Sequence, residues 1–402
     1  RMLTNRKVVV GVTGGIAAYK AAELVRQLAR LGASIRVIMT PAAMEFITPL
    51  TFETLTGHPV LTGLFPHEQG GGTVHIEWAR WAECLVICPA TANTIARAAH
   101  GFADNALTTT LLATTAPILF CPAMNRQMYA NPLYQQNEKR LLEHGWSVVA
   151  PGSGELACGE VGEGRLSEIP EIVEAVRRLL SRKHDYQGRR VLVTAGPTHE
   201  PLDPVRYLGN RSTGKMGYAL AEMAALRGAG VTLVTGPSHE RPFSGIKVVR
   251  VTTAAEMSEA VQHHLPDCDL LFMAAAVSDY RPAAVAAQKI KKGEEEIILP
   301  LTRTEDILRS AGLSKGGRTH VGFSVETGEE IPASLRKLEE KNLDMIVVNN
   351  PLEPGAGFAV DTNIITLLRR GRDPEKWPQM SKQEVADRLL TAVLEWEKEK
   401  SL

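Results

Sequence analysis

The stretch Arg190-Val-Leu-Val-Thr-Ala-Gly-Pro-Thr-His-Glu-Pro-Leu-Asp-Pro-Val-Arg-Tyr-Leu-Gly-Asn-Arg-Ser-Thr-Gly-Lys-Met-Gly217 decides how this chain is read. An apolar run opens it and a helical pattern, Met216–Arg227, follows it. That is a strand, a long polar loop and a helix. Loops of this length inside an α/β unit are uncommon and usually functional. A helix N-terminus preceded by glycine offers free N–H groups to an anion. Arg206, Asn210, Arg211 and Lys215 add the side chains suited to a phosphorylated ligand or an activated carboxylate. Gly209 to Lys215 has the spacing of a P-loop, but Met216 stands where that loop needs Ser or Thr for a metal ion, so the match is a near-miss.

Working outward, Val191 begins a run of alternating elements. Strands are expected at Val231–Thr235, Leu270–Ala275, Thr319–Ser324 and Met345–Val348, with helices at Ala254–Leu265, Ile331–Lys341 and Lys382–Lys398. Ile364–Leu368 reads as a late hairpin strand. The first half repeats the scheme. Lys7–Val12 is a strand, Ile16–Leu31 carries a helical apolar face, and Ile35–Met39 is a second strand. Cys84–Cys88 and Ile118–Cys121 read as buried strands, and the helix Ile169–Leu180 closes the unit. The fold class is therefore α/β, with mostly parallel sheets in both halves. The domains are expected at 1–180 and 190–402, joined by a polar linker at 181–189. In such folds ligands bind outside the carboxyl ends of the strands.

Composition narrows the function classes. Across 402 residues, 45 basic side chains balance 45 acidic ones, which gives no bulk electrostatic case for nucleic acid or an anionic membrane. No apolar run approaches the ~20 residues of a membrane span. Five scattered cysteines form neither a disulfide framework nor a zinc spacing, so a cytoplasmic setting is expected. Neither half has Gly-x-Gly-x-x-Gly, and that disfavours a plain nicotinamide dehydrogenase.

Several first-half residues stand at strand ends. Gly14 and Gly15 follow the first strand, and Thr40 the second. Thr91 and Asn93 follow Cys84–Cys88, and Asn125 follows Ile118–Cys121. Taken singly, these are also turn and cap residues, and His75 in an apolar setting also reads as structural. Cys158 differs, because its glycine-rich surroundings offer no core to pack in. Such a segment reads as a flap.

In their order, Gly14-Gly15-Ile-Ala-Ala-Tyr-Lys, His75-Ile, Pro89-Ala-Thr-Ala-Asn, Pro122-Ala-Met-Asn-x-x-Met and Ala-Cys158-Gly resemble the flavin-dependent cysteine decarboxylases. The Thr194–Gly217 block, Ala274-Ala-Ala-Val-Ser-Asp-Tyr280, Lys289-Ile-Lys-Lys292, Gly322-Phe-Ser-Val-Glu-Thr327 and Lys337-Leu-x-x-Lys341 resemble phosphopantothenate–cysteine ligase. Together the chain resembles the bifunctional coenzyme A biosynthesis family of bacteria over nearly its whole length. Tyr129, where Trp is common, and Ser324-Val325, where Ala-Ala is common, are mild departures.

The resemblance implies two Rossmann-like domains, the first a flavodoxin-like flavoprotein and the second the ligase, and an enzyme with two activities. The ligase would join cysteine to 4'-phosphopantothenate through an acyl-cytidylate made from CTP, with Mg²⁺ held mainly through the CTP phosphates. Lys289 would serve the triphosphate, and Asn210 would hold the acyl-cytidylate on a loop supported by Arg206. Met273, Ala275, Asp279, the segment Glu305-Asp306-Ile307-Leu308, Phe323, Lys337 and Lys341 would contact the nucleotide or substrate. The decarboxylase would use FMN, contacted by Gly14, Gly15, Thr40, Thr91 and Asn93, to convert phosphopantothenoylcysteine to phosphopantetheine. In it His75 would be the base, Asn125 the carboxylate ligand and Cys158 the proton donor. The implied partners are small molecules and further copies of the chain: decarboxylase trimers joined through ligase dimers, a dodecamer.

Overall fold

Lys7–Val12 carries five consecutive branched or small apolar residues, Val8 to Val12, that are buried, as a strand covered on both faces requires. The computed structural model describes residues 2–65, 73–155, 161–290, 298–325, 330–350, 354–355, 357 and 360–401. The chain divides into two compact units, 1–182 and 183–402.

In the first unit, β1 (Lys7–Val12), β2 (Ser34–Met39), β3 (Cys84–Ala90), β4 (Ile118–Pro122) and β5 (Ser147–Val148) form one parallel sheet in the order β2-β1-β3-β4-β5. This is the flavodoxin-like order, whose switch point lies between β1 and β3. Two apolar clusters cover its faces, one around Leu24, Phe52 and Ile172, the other around Ile95, Leu107 and Phe120. The expected first helix is split. Ile16–Tyr19 is a 3₁₀ turn and Lys20–Arg30 the α-helix, so the glycine turn enters the helix through a tighter coil. The glycine-rich segment forms β6 (Gly152–Glu155) and β7 (Val161–Arg165), an antiparallel pair.

In the second unit, β8 (Arg190–Ala195) lies at the centre of an eight-stranded sheet. The short strands β9 (Glu200–Pro201) and β10 (Tyr207–Leu208) pair within the long loop. β11 (Gly230–Thr235), β12 (Lys247–Arg250) and β13 (Leu270–Met273) follow. β14 (Tyr280–Pro282) and β15 (Leu301–Arg303) make a separate antiparallel pair. Then come β16 (Thr319–Val325), β17 (Met345–Asn349), β18 (Thr362–Asn363), β19 (Ile365–Arg369), β20 (Glu375–Lys376) and β21 (Met380–Ser381). The sheet order is β12-β11-β8-β13-β16-β17-β19-β20, parallel through β17 and antiparallel beyond.

The polar segment expected to be a linker is only partly free of the core. Tyr186 is fully buried in the second unit, its hydroxyl donating to the Leu390 carbonyl at 2.7 Å, and Asp185 pairs with the buried Arg227 at 2.7 Å. Charged flanks hid one aromatic anchor.

Candidate functional sites

Each unit opens a cavity at the carboxyl ends of its parallel strands. The first, of about 710 Å³, sits at the β1/β3 switch point. The buried Thr13 joins its two sides. Its hydroxyl donates to the Pro89 carbonyl at 2.6 Å and accepts from the Thr91 N–H at 3.0 Å. Thr91 then caps the helix Ala92–Ala99 by accepting from the Thr94 N–H. Gly14, Gly15, Thr91, Asn93 and Asn125 all line this cavity. A Cβ at Gly14 would stand 2.4 Å from Cβ of Ala42, so no larger residue fits that turn without displacing the next element. The Asn125 side chain accepts from the Gln127 N–H at 2.8 Å, which starts the helix Arg126–Ala130 and fixes the amide at the cavity wall.

Two predicted residues stand apart from the lining. Thr40 is buried and is not among the lining residues; its hydroxyl accepts from the Ala43 N–H, capping the helix Pro41–Met44. A Thr-Pro pair after a strand served as a helix start here. His75 lies on the helix Val74–Trp81 and also lies outside the lining. Its Nδ1 is buried without a hydrogen-bond partner among the described residues. Cys158 lies outside the described residues. The strand that returns from it does reach the cavity, because Gly164 and Arg165 of β7 line it, and Gly164 accepts from the Met124 N–H at 2.9 Å.

The second cavity, of about 690 Å³, gathers residues from six parts of the chain, the last being Ile346 of β17. Met273 ends β13, and Ala275 and Asp279 follow it. Ala275 is held by its N–H donating to Thr194 Oγ1 at 3.2 Å. Asn210 comes from the long loop and is gripped at both ends: its Nδ2 donates to the Ala276 carbonyl at 2.7 Å and its Oδ1 accepts from the Ser212 N–H at 3.0 Å. Phe323 comes from β16. Glu305, Asp306, Ile307 and Leu308 form the start of the helix Ile307–Leu313, which Asp306 caps through the Arg309 N–H. Lys337 and Lys341, one helical turn apart, reach Ser324 Oγ at 3.1 Å and Asp306 at 3.0 Å.

Arg206 and Lys289 do not line this cavity. Lys289 is exposed on the excursion between β14 and β15, strands whose ends at Tyr280 and Arg303 do line it. Arg206 is bound to the side chain of Asp203 at 2.6 Å, and that guanidinium holds the carboxyl well below the usual carboxylate range.

The sequence reading missed Met124, Met128 and Arg165 in the first cavity and Arg303, Thr304 and Arg309 in the second. The two methionines stood inside the recognised Pro122–Met128 motif, in which only Asn125 was given a role. The arginines flanked recognised segments in a chain too evenly charged for them to stand out.

Comparison with known proteins agrees with this two-part arrangement. A flavoprotein family model matches residues 1–181, and the model of the DNA/pantothenate metabolism flavoprotein C-terminal domain matches residues 186–396. The coenzyme A biosynthesis bifunctional protein CoaBC of Bacillus subtilis is 43% identical over 395 residues, covering 98% of this chain and 97% of that protein. The protein of the same name from Haemophilus influenzae is 43% identical over 394 residues, 98% of each chain. That from Vibrio cholerae is 44% identical over 369 residues, covering 91% of this chain and 92% of that protein. With relatives aligned end to end across both units, the chain belongs to the bifunctional coenzyme A biosynthesis family, enzymes that combine a phosphopantothenoylcysteine decarboxylase with a phosphopantothenate–cysteine ligase.

Proposed function

We propose that the second unit makes the amide between 4'-phosphopantothenate and cysteine at the expense of CTP, and that the first unit decarboxylates the product to 4'-phosphopantetheine. The observation that carries this reading is the second cavity. It draws Asn210, Asp279, Phe323, Lys337, Lys341 and the Glu305–Leu308 segment to one place from across 132 residues of sequence, 210 to 341.

A carboxylate is a poor acyl donor. In the first ligase step its oxygen attacks the α-phosphorus of CTP, the bond to pyrophosphate breaks, and an acyl-cytidylate forms. The cysteine amine then adds to the acyl carbon, CMP leaves with the electron pair of the broken C–O bond, and the amine loses a proton. Asn210, fixed at both ends, is placed to hold the acyl-cytidylate. Lys337 and Lys341 offset nucleotide charge. Arg206 supports the loop, and Lys289 serves the triphosphate. Among the described residues no group of three or more His, Cys, Asp or Glu side chains is arranged to hold a metal ion. In this reading Mg²⁺ arrives on the CTP phosphates.

The first cavity fits FMN. It lies at the switch point, it has apolar walls at Ile16, Met124, Met128 and Leu166, and Gly15 in its glycine turn leaves open backbone on the lining. Gly14, Gly15, Thr91 and Asn93 would hold it. Bound there, flavin supplies the two-electron oxidation of the substrate's CH₂–SH, which makes loss of CO₂ feasible, and returns the electrons afterwards. The Asn125 amide receives the substrate carboxylate. His75 takes or orients the thiol proton, and Cys158 protonates the carbon that lost CO₂. Since His75 is outside the cavity of its own chain, a neighbouring copy would present it. The cavity mouth suits such a contact, because Ile16 and Tyr19 are 62% and 61% exposed. Decarboxylase trimers joined by ligase dimers into a dodecamer satisfy this requirement. No helix among the described residues is long and apolar enough to cross a membrane, and the reading places the enzyme in the cytoplasm with small-molecule substrates.

The test is mass spectrometry of products after mixing the protein with phosphopantothenate, cysteine, CTP and Mg²⁺. Phosphopantetheine, CMP and pyrophosphate are expected. Phosphopantothenoylcysteine that accumulates in flavin-replete protein would remove the decarboxylase half of the reading; no new mass from folded protein would remove the ligase half, and added phosphopantothenoylcysteine left intact would then remove the other.

A further inference from the structure

We propose that Asp203 is a positioning residue for amide formation: its buried carboxylate fastens the Leu202–Arg206 turn to Ile290 and thereby fixes where Lys289 stands. The proposal rests on the reading of Lys289 as the cation that serves the CTP triphosphate.

The Asp203 side chain is fully shielded from solvent. A buried carboxylate is costly unless its lone pairs are met, and here its two oxygens have different tasks. Oδ1 is local. It accepts from the Val205 and Arg206 N–H groups, both at 2.8 Å, and shapes the turn. Oδ2 reaches further. It accepts from Arg206 Nε at 2.9 Å, from Arg206 Nη2 at 2.6 Å and from the Ile290 N–H at 3.1 Å. Arg206 Nη2 also donates to the Ile290 carbonyl at 3.0 Å. Both backbone polar groups of Ile290 are thus taken by one acid–base pair that lies more than eighty positions earlier. A third tie, the Ala286 N–H donating to the Leu202 carbonyl at 3.0 Å, holds the same segment three residues before Lys289.

A turn that had only to close on itself would need Oδ1 alone, as an Asx turn does. The Oδ2 contacts serve the 286–290 segment. That segment leaves the second cavity through β14 and returns to it through β15, with the Ala283 N–H extending the pair to the Pro300 carbonyl. Lys289 occupies the position directly before the doubly held Ile290. A flexible four-carbon ammonium finds a phosphate quickly only when its Cα is fixed, and a displacement of about 1 Å at such a point can cost on the order of 10²-fold in rate.

The geometry also supplies a narrow substitution. Asp203→Asn keeps the local Oδ1 acceptor but puts an N–H donor where Oδ2 met three donors. In the full chain, Asp203→Asn should lower the ligase kcat by about 10²-fold with the KM for cysteine little changed. Decarboxylation of added phosphopantothenoylcysteine should be unchanged. Limited trypsin digestion should cleave faster after Lys289. Lys289→Gln should lower kcat at least as far, and the double variant should be no slower than Lys289→Gln alone, because both substitutions remove the same interaction. Arg206→Lys keeps the charge but loses the fork that spans Asp203 and Ile290. It should show the same pattern more weakly, and it serves if Asp203→Asn fails to fold. Wild-type kcat in Asp203→Asn, or independent effects that multiply in the double variant, would overturn the proposal. Wild-type turnover by Lys289→Gln would instead sink the assignment of Lys289, and this proposal with it. Faster trypsin cleavage would then mark a structural tie only.

Discussion

The two cavities are nearly equal in volume, about 710 and 690 Å³, yet their walls differ in kind. The first is lined by two cations, Lys20 and Arg165, and by no acid, histidine or cysteine among the described residues. The second is lined by four cations, Arg303, Arg309, Lys337 and Lys341, and three acids, Asp279, Glu305 and Asp306. A wall without titratable groups near neutrality suits a bound cofactor that carries the redox step; in the proposed function its proton donors come from a flap and a neighbouring copy. A wall of paired charges suits a polyanionic substrate whose charge is redistributed as it reacts. If that contrast is right, the two activities should be separable by single substitutions.

The largest separation is expected from Cys158→Ala. Loss of a proton donor costs about 10²–10⁴-fold, so decarboxylation should nearly stop while amide formation proceeds, and phosphopantothenoylcysteine should accumulate when all ligase substrates are supplied. Mass spectrometry of the mixture checks this. Loss of both activities in folded protein would mean that the cavities are not independent.

Acid should separate the units through stability. His320 is fully buried on β16, the strand that delivers Phe323 to the second cavity. Burial, with the nearby Lys315 cation, pushes its imidazole down to about 4 from the usual 6.5, while Asp344 pulls the other way. Both ring nitrogens lack a hydrogen-bond partner among the described residues. In the unfolded chain the ring takes up its proton near pH 6.5, whereas the folded ring resists until about 4. Stability is therefore whole above 6.5 and falls as pH drops between those values, by about 3 kcal/mol in all. CTP binding should fade in that window while bound flavin persists, and His320→Leu should flatten the profile. Thermal melts at about pH 7.5 and about pH 5 measure it; an unchanged acid profile in His320→Leu would assign the loss elsewhere.

The same contrast explains what the sequence revealed. The second cavity's candidates were legible through the family resemblance: Met273, Ala275 and Asp279 at the end of β13, Phe323 within β16 and Glu305–Leu308 at a helix start all line it, while Arg303, Thr304 and Arg309 lay just outside the recognised segments. Arg206 and Lys289 were legible as important but not as a linked pair, because nothing in a linear reading brings residues 203 and 290 together. In the first unit the strands were readable from their apolar runs and the glycine turn from Gly14-Gly15 after the first of them, while the strand order came only with the structure. Thr40 caps a helix and is not among the cavity's lining residues; in sequence a hydroxyl after a strand looks the same whether it faces a ligand or caps a helix. Tyr186 was hidden by its charged neighbours. Contacts across long sequence separation are what local patterns leave open.

Gly164→Ala tests how the flap is seated. Gly164 holds φ of +127°, a region that other residues avoid, and a Cβ there would lie 2.4 Å from the Met124 carbonyl oxygen. β7 would have to lift from the loop that carries Asn125, at a strain of about 1–3 kcal/mol. Decarboxylation should slow by roughly 10-fold or more by the same conversion, with ligase rates unchanged. Normal decarboxylation by the Gly164→Ala enzyme would show that the seating of β7 does not set the active geometry.

The smallest effect, and the most diagnostic of the charged wall, is expected at Lys341. It meets Asp306 at 3.0 Å, with its side chain 23% exposed and that of Asp306 44% exposed, so the pair itself adds little to stability. Asp306 keeps its cap contact with the Arg309 N–H when the lysine is removed, so the helix start should survive. What Lys341→Gln loses is one positive charge facing the nucleotide, in the ground state and the transition state alike. The KM for CTP should rise by about 3–10-fold with kcat nearly constant, the signature of uniform binding. Its dependence on salt should weaken as well, since one screened attraction is gone. A fall in kcat at unchanged KM would instead place Lys341 against charge that develops only as the phosphorus–oxygen bond breaks, and would make the second cavity's wall catalytic where the present contrast makes it a binding surface.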